Sequence, residues 1–300
     1  MKKKTYLFAL MAMALTLGSC SDNENGIGGE TSKYITVSTS IGNMTRVATD
    51  EKGGQTFEEG DEISVYAWTG DATVAPETRE RVVNNAINKL TNGSWISNPQ
   101  MLWKNNRDKH YFIGVYPISA ISDLSAGEYT FDETKQVESD LLVAVNKDGL
   151  SYNVDEQQPV PLTFTHVMAK LAVNLTYKNQ WGDIPTVEKV VVGNAAKEAT
   201  INYLTKVVTP STTAKEDFSL PEITENTKYV SVIIPQEEVT QLTIVIGGKN
   251  FVYDNGTPFK LESGKITTVN LEVGRDEIKL GNVKITNWED GSTFSGEALN

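Results

Sequence analysis

A chain of 300 residues is long enough for one large domain or for two smaller domains, each with its own hydrophobic core. Of these residues, 79 are Val, Ile or Thr, whose β-branched side chains fit a pleated sheet better than a helix, so the composition predicts an all-β protein. The net charge of -12 disfavours binding to nucleic acid. One cysteine and two histidines exclude an internal disulfide and argue against a metal site built from thiolates or imidazoles.

The first 19 residues have the pattern of a secretory signal peptide. Three lysines at positions 2–4 precede a mostly apolar stretch, Tyr6–Leu17, which is too short to span a bilayer as a stable helix. The stretch ends in Leu-Gly-Ser-Cys, which resembles the lipobox of bacterial lipoproteins. The resemblance implies that residues 1–19 are removed and that lipidated Cys20 anchors the mature chain in the lipid of the outer membrane.

Residues 20–32 are predicted to form a flexible tether behind the lipid anchor. They are polar and Gly-rich, with Ile27 as an isolated apolar residue, and such a composition does not collapse into a core. The acidic start, Ser-Asp-Asn-Glu, is similar to an export tag that sends lipoproteins to the outer leaflet in some Gram-negative anaerobes. A solvated linker that is acidic by chance fits the same residues.

Beyond the tether, short alternating runs separated by turn residues predict the strands of antiparallel sandwiches. The clearest runs are Tyr34–Ile41, Asp61–Trp68, His110–Tyr116, Asp140–Val145, Pro161–Tyr177, Val187–Val192, Tyr229–Ile234, Leu242–Ile246, Lys265–Val273 and Ile278–Thr286. One segment has a different period, because apolar residues between positions 82 and 90 recur at helical spacing. That spacing predicts a short helix over residues 78–90.

A change of composition near residue 160 predicts a domain boundary. Two prolines, Pro159 and Pro161, bracket a single residue there and would end a strand ladder. The resulting halves, residues 33–160 and 161–300, are each the size of a seven- or eight-stranded β-sandwich.

The sequence contains no established catalytic motif and predicts neither an enzyme nor a cofactor. His110 and His166 lie inside apolar alternating runs, where a packed structural histidine is expected rather than a general base. The acidic run at residues 58–62 could supply the two carboxylates of a glycosidase, but a solvated turn before the next strand is expected. Five tryptophans could stack on sugars, although single tryptophans in sandwich proteins more often belong to the core or its rim.

A set of motifs occurs in a fixed order along nearly the whole mature chain. After the lipobox and the tether come Met44-Thr45-Arg46, the run Phe57–Tyr66, Trp95 followed by Leu102-Trp103, and then Phe112–Pro117, Ser139–Ala144, Leu162–Leu171 and Ile285–Trp288. As an ordered set, these motifs resemble the fimbrillin family, the type V pilus subunits and related surface lipoproteins of Gram-negative anaerobes.

The resemblance implies two transthyretin-like antiparallel β-sandwich domains in tandem and a non-enzymatic role in a fimbrium. In such pilins a trypsin-like protease cuts after an arginine in the loop that follows the first strand. The matching bond here joins Arg46 and Val47. Loss of the first strand leaves a groove that a strand from the next subunit fills, so the implied partners are other pilus subunits that bind by donor-strand exchange.

The segment after Trp288 bears on the position of the subunit along the fibre. Only twelve residues with few apolar side chains follow Trp288, so a donor strand for a stalk subunit is not evident. A tip or accessory subunit that adheres to a host or bacterial surface ligand is therefore expected. Two other classes stay open: a monomeric glycan-binding surface lipoprotein, which would keep its N-terminal strand, and a sandwich glycosidase, which would need a cleft with two facing carboxylates.

Overall fold

The structure is a computed structural model that describes residues 33–42, 56–153, 158–239, 241–254 and 258–288. The chain divides into residues 1–32 and a compact unit of residues 33–300. The three predicted site residues, Cys20, Arg46 and Val47, lie outside the described residues. No helix in the described part of the chain is both long enough and apolar enough to cross a membrane.

The described residues form 21 strands and two 3₁₀ turns, so the predicted all-β class is confirmed. The 3₁₀ turns are Thr78–Glu80 and Asn179–Trp181. The strands in chain order are β1 Val37–Ile41, β2 Glu62–Thr69, β3 Val83–Thr91, β4 Ser94–Asn98, β5 His110–Tyr116, β6 Gly127–Thr130, β7 Leu142–Leu150, β8 Val160–His166, β9 Ala169–Tyr177, β10 Val187–Ala196, β11 Glu198–Asn202, β12 Val207–Pro210, β13 Lys215–Ser219, β14 Glu222–Thr224, β15 Lys228–Ile233, β16 Gln236–Val239, β17 Gln241–Ile246, β18 Lys249–Tyr253, β19 Phe259–Leu261, β20 Lys265–Val273 and β21 Ile278–Asn287.

All ten runs that the alternation predicts as strands contain strands. β5 and β20 have the predicted bounds, residue for residue. The long run over residues 161–177 is two strands, β8 and β9, which are separated by Val167 and Met168. Both intervening side chains are buried, so the apolar pattern continues across the break and hides it in the sequence.

The helix predicted over residues 78–90 is wrong, because the segment forms a 3₁₀ turn followed by β3. β3 contains one more residue than the facing part of β2, which makes a β-bulge. Asn85 lies in the bulge with a φ of 54°. Val83 and Ala86 are therefore both buried although they are three positions apart, and the bulge imitates the spacing of a helix.

The largest sheet has seven strands in the order β1-β8-β7-β5-β2-β3-β4. Its pairs are antiparallel, as predicted, except that β1 runs parallel to β8. The two edges of this sheet approach each other. The indole N–H of Trp95 in β4 donates a hydrogen bond of 2.9 Å to the hydroxyl of Thr39 in β1, and Tyr34 pairs with Leu102, four residues beyond β4. The sheet therefore curls towards closure.

The central strands of the curled sheet, β2, β5 and β7, are buried on both faces, against two different apolar clusters. Alternate residues of β2 show this, because Ile63, Val65 and Ala67 face the smaller cluster whereas Tyr66 and Trp68 face the larger one. We call the smaller cluster, which the sheet encloses, the N-terminal core. It consists of Ile35, Val37, Ile63, Val65, Ala67, Val83, Ala86, Trp95, Met101, Phe112, Leu142, Ala144, Val160, Leu162 and Phe164.

The other strands form four smaller sheets, in the orders β13-β10-β17-β18, β14-β15-β9-β20-β21, β12-β11-β6 and β16-β19. The pair β9–β20 is parallel, so the expectation of purely antiparallel sheets is wrong at two pairs. Each parallel pair joins strands that are distant in the chain, which local alternation cannot indicate.

Strands and hydrogen bonds join the two predicted halves across residue 160. β8, which begins at Val160, lies between β1 and β7 in the seven-stranded sheet, and β6 of the first half pairs with β11 of the second. The carbonyl oxygen of the Gln136 side chain accepts a hydrogen bond of 2.7 Å from the backbone N–H of Val232. The larger cluster contains residues of both halves. The division into two transthyretin-like domains at residues 160–161 stays a prediction.

Candidate assembly site

The N-terminal strand segment, residues 33–42, lies at the edge of the seven-stranded sheet. It contains β1 and pairs in parallel with β8, so that Val37 lies beside Val160. Hydrogen bonds of 2.8 Å extend the pairing at both ends, from the Val160 N–H to the Thr36 carbonyl and from the Gly42 N–H to the Phe164 carbonyl. The segment is thus attached to one neighbour along most of its length.

The start of the same segment is also attached on its other side. The Ile35 N–H donates to the Met101 carbonyl at 2.9 Å, and the Trp103 N–H donates to the Lys33 carbonyl at 3.1 Å. The N-terminal strand segment therefore fills a gap between β8 and the chain that follows β4. Sequence reasoning placed Leu102 and Trp103 in a motif, but it did not indicate that they pair with the first strand.

The inward side chains of the segment complete the N-terminal core. Ile35 is 1% exposed and Val37 is 6% exposed, and Ile41 packs against the same cluster while partly exposed. Thr39, the fourth residue on the inward face, accepts the hydrogen bond of the Trp95 indole. Ser38 points outwards and is exposed, as the period of two predicts.

Phe57 packs where the described chain resumes after residue 42. Its ring makes edge-to-face contacts with the rings of Trp95, Tyr116 and Phe164, at centroid distances of 5.3, 5.4 and 5.1 Å. Gly42 and Phe57 therefore both contact Phe164, Gly42 through the Phe164 backbone carbonyl and Phe57 through the Phe164 ring. The sequence contained Phe57 in a motif without indicating this packing role.

Polar groups near Phe57 are arranged as a turn. Burial, together with the charge of Asp61, raises the pKa of Tyr116 to about 12, so this phenol stays neutral at ordinary pH. The Glu58 N–H donates to the Asp61 carboxylate at 2.7 Å, and the Asn92 N–H donates to the Glu59 carboxylate at 2.7 Å. The acidic run therefore forms the expected turn before β2, with the carboxylates of Glu59 and Asp61 bonded to backbone N–H groups.

His110 is packed in the sheet, as expected from its apolar run. Its side chain is buried, and its two ring nitrogens lie 3.0 Å from the Lys104 N–H and 3.0 Å from the Asp108 carbonyl oxygen. This network assigns the proton to Nδ1. Burial lowers the pKa of His110, because the protonated ring would be a cation kept away from water. Protonation would also place a second ring N–H against the Lys104 N–H.

His166 belongs to a second buried polar cluster. Its Nδ1 lies 2.7 Å from the Asp140 carboxylate, and its ring stacks on Trp288 at a centroid distance of 4.0 Å. The Lys170 ammonium lies 4.1 Å from the centre of the Trp288 ring, and burial lowers the pKa of Lys170 although Asp140 opposes the shift. The cluster attaches Trp288, the residue after β21, to the last residue of β8 and to the start of β9. These contacts fit the packed structural histidine that was expected.

The tryptophans do not form a row on one surface. Trp68, Trp95 and Trp288 are buried, whereas Trp103 and Trp181 are partly exposed. A cleft of about 770 Å³ lies between residues 74–82 and residues 102–104. Among the described residues, no group of three or more His, Cys, Asp or Glu side chains is placed to hold a metal ion.

Comparison with known proteins supplies the class. The sequence profile of the Fimbrillin-like family matches residues 45–288, and the chain belongs to this family. Membership of this family implies a fimbrial location at the cell surface.

Particular relatives agree with this class. A candidate fimbrium subunit of Bacteroides uniformis, Fim1C, is 24% identical, and the match covers 97% of each chain. A crystal structure of a candidate cell adhesion protein from the same species has a TM-score of 0.64 at 18% identity, covering 86% of this chain and 100% of that one. A second such protein, from Bacteroides ovatus, has a TM-score of 0.64 at 17% identity, covering 85% and 98%. At these identities the structures show a shared fold.

Proposed function

We propose that the chain is a non-enzymatic pilus subunit that is exported as a lipoprotein, cut between Arg46 and Val47, and assembled by strand exchange. The observation that carries the proposal is the place of the N-terminal strand segment. It completes the N-terminal core, yet it ends at Gly42, four residues before Arg46. A cut after Arg46 would leave the strand attached by noncovalent contacts alone.

The energy of those contacts supports exchange. Burial of Ile35 and Val37 contributes about 1.5–3 kcal/mol each, or about 3–6 kcal/mol together as an upper estimate. Typical domain stability is about 5–15 kcal/mol, so an empty groove would forfeit a large share of the margin. Removal of the segment would also expose the backbone of β8, and such an edge is a template for an added strand.

The direct test is limited trypsin treatment of the soluble chain that begins at Ser21. Cleavage after Arg46 should occur in the native protein, and the strand should then be replaced by a strand from another subunit. Because trypsin also cuts after lysine and Lys52 lies in the same stretch, Arg46→Ala combined with Lys52→Ala should block the process. Arg107→Ala, which removes an exposed arginine elsewhere, should leave it unchanged. A native protein that resists the cut, or that is cut but binds no partner strand, would favour the monomeric glycan-binding lipoprotein.

The lipid anchor is tested separately. Each buried acyl CH₂ contributes about 0.8 kcal/mol, so a multiply acylated Cys20 would be held stably in the outer membrane, as one chain alone would not. Cys20→Ala should lose its acyl label and leave the membrane fraction. A variant that is processed normally and stays in the outer membrane with its label would contradict the lipoprotein proposal.

We also propose a tip or accessory position with an adhesive role. The cleft beside Trp103 supports the adhesive part, because charged side chains of both signs, Asp71, Arg79, Glu80 and Lys104, line it next to aromatic surface. Immunogold labelling should place the subunit at fibre ends. Arg79→Ala combined with Lys104→Ala should reduce adhesion of fimbriated cells without loss of the fimbriae. Labelling along whole shafts would contradict the tip position.

A further inference from the structure

The groove that the N-terminal strand segment occupies contains one polar contact in an apolar setting. The Trp95 side chain belongs to the N-terminal core and is 9% exposed, and its indole N–H has the hydroxyl of Thr39 as a partner at 2.9 Å. The neighbouring inward positions, Ile35, Val37 and Ile41, are aliphatic. Position 39 is therefore the one inward position of this segment where the groove offers a hydrogen-bond donor rather than only apolar surface.

The direction of the strand is defined as well. β1 runs parallel to β8, and parallel and antiparallel ladders place their hydrogen bonds differently along the strand. At its start, the segment bonds on the opposite side to Met101 and Trp103. An incoming strand satisfies both sets of backbone groups when it spans ten residues and runs in the direction of residues 33–42.

We propose that this groove selects its partner by a polar code. The partner is an extended segment of another subunit that runs parallel to β8, with aliphatic side chains at the positions of Ile35, Val37 and Ile41. At the position of Thr39 it carries Thr or Ser, whose hydroxyl accepts the hydrogen bond of Trp95. A strand with Val at that position fills the same volume but leaves the partly buried N–H of Trp95 without an acceptor from the strand. The selectivity rests on the proposed strand exchange and adds a recognition rule to it.

A competition experiment tests the rule. The chain that begins at Ser21 is cut with trypsin, the cut strand is released in urea, and the protein is diluted into equal amounts of two competing peptides. One peptide has the sequence of residues 33–42 and the other carries Thr39→Val. Mass spectrometry of the native complexes then gives the ratio of bound peptides. The native peptide should be favoured about tenfold, which corresponds to about 1.4 kcal/mol.

Three further peptides act as controls. Thr39→Ser keeps the hydroxyl and should compete nearly as well as the native peptide. Ser38→Val changes the adjacent outward, exposed position and should not lower binding. A peptide with the sequence of residues 33–42 in reverse order should fail to compete, because its side chains follow the order of the groove only when its backbone runs antiparallel to β8, which misplaces its hydrogen-bonding groups.

The protein variant Trp95→Phe completes the test, because it removes the donor and keeps an aromatic ring. In this variant the preference for Thr over Val should disappear. Equal binding of the native and Thr39→Val peptides to the unaltered protein would overturn the polar code while leaving strand exchange intact. Failure of every peptide, including the native one, would instead contradict the proposed function. If Trp95→Phe does not fold, the peptide ratios on the unaltered protein decide the matter.

Discussion

The side chain of Ile35 should determine how firmly the first strand is held. Ile35 is 1% exposed in the N-terminal core, and its backbone N–H is bonded to Met101 independently of the side chain. Ile35→Ala therefore removes packing and keeps the strand pairing. Truncation of a buried isoleucine to alanine costs about 2–5 kcal/mol, because it removes apolar burial and leaves a cavity. Ser38→Ala, on the exposed face of β1, is the matched control and should change stability by less than about 0.5 kcal/mol.

Two measurements check this prediction. Urea unfolding of the uncut chain should show a lower midpoint for Ile35→Ala than for Ser38→Ala. After cleavage at Arg46, the retention of the strand should fall by a factor of about 30 or more, which is the same free energy expressed as an equilibrium constant. Equal midpoints for the two variants would refute the packing role. A destabilised uncut chain that keeps its strand after cleavage would refute the link between core packing and strand release.

Three further predictions concern other parts of the structure. Gly114→Ala should destabilise the chain by about 1–3 kcal/mol in urea unfolding, because the added Cβ would lie 2.6 Å from the Phe164 ring; an unchanged midpoint would contradict this packing. Burial lowers the pKa of His110, so its contribution to stability is present above about pH 6.5 and is lost as the pH falls below that value. In His110→Gln the free energy of unfolding should therefore depend less on pH between pH 7 and 5. A pH profile parallel to that of the unaltered protein would contradict this prediction. His166→Gln should cost about 1–3 kcal/mol and abolish no reaction, whereas a hydrolytic activity lost in the folded variant would restore the enzyme hypothesis.

Local alternation indicated eleven of the 21 strands, because the side-chain period of two is a property of consecutive residues. It predicted β5 and β20 with their correct bounds, and it placed Ile35, Val37 and Thr39 on one face. It failed over residues 78–90, because a bulge interrupts the period. Nothing in a local pattern distinguishes such a bulge from one turn of a helix when its inward residues are three positions apart.

For the candidate assembly site, too, some features follow from the sequence and others only from the tertiary structure. Cys20 and Arg46 were identified from motifs that resemble those of a family, and their roles stay predictions. By itself, the sequence determined an all-β chain whose first strand has an apolar face, since composition and alternation are local properties. Only the tertiary structure decided that this strand lies parallel to β8, between β8 and Met101, with Thr39 on the indole of Trp95. Those contacts join residues 56 to 123 positions apart, and their pairing depends on how the whole sheet curls around its core.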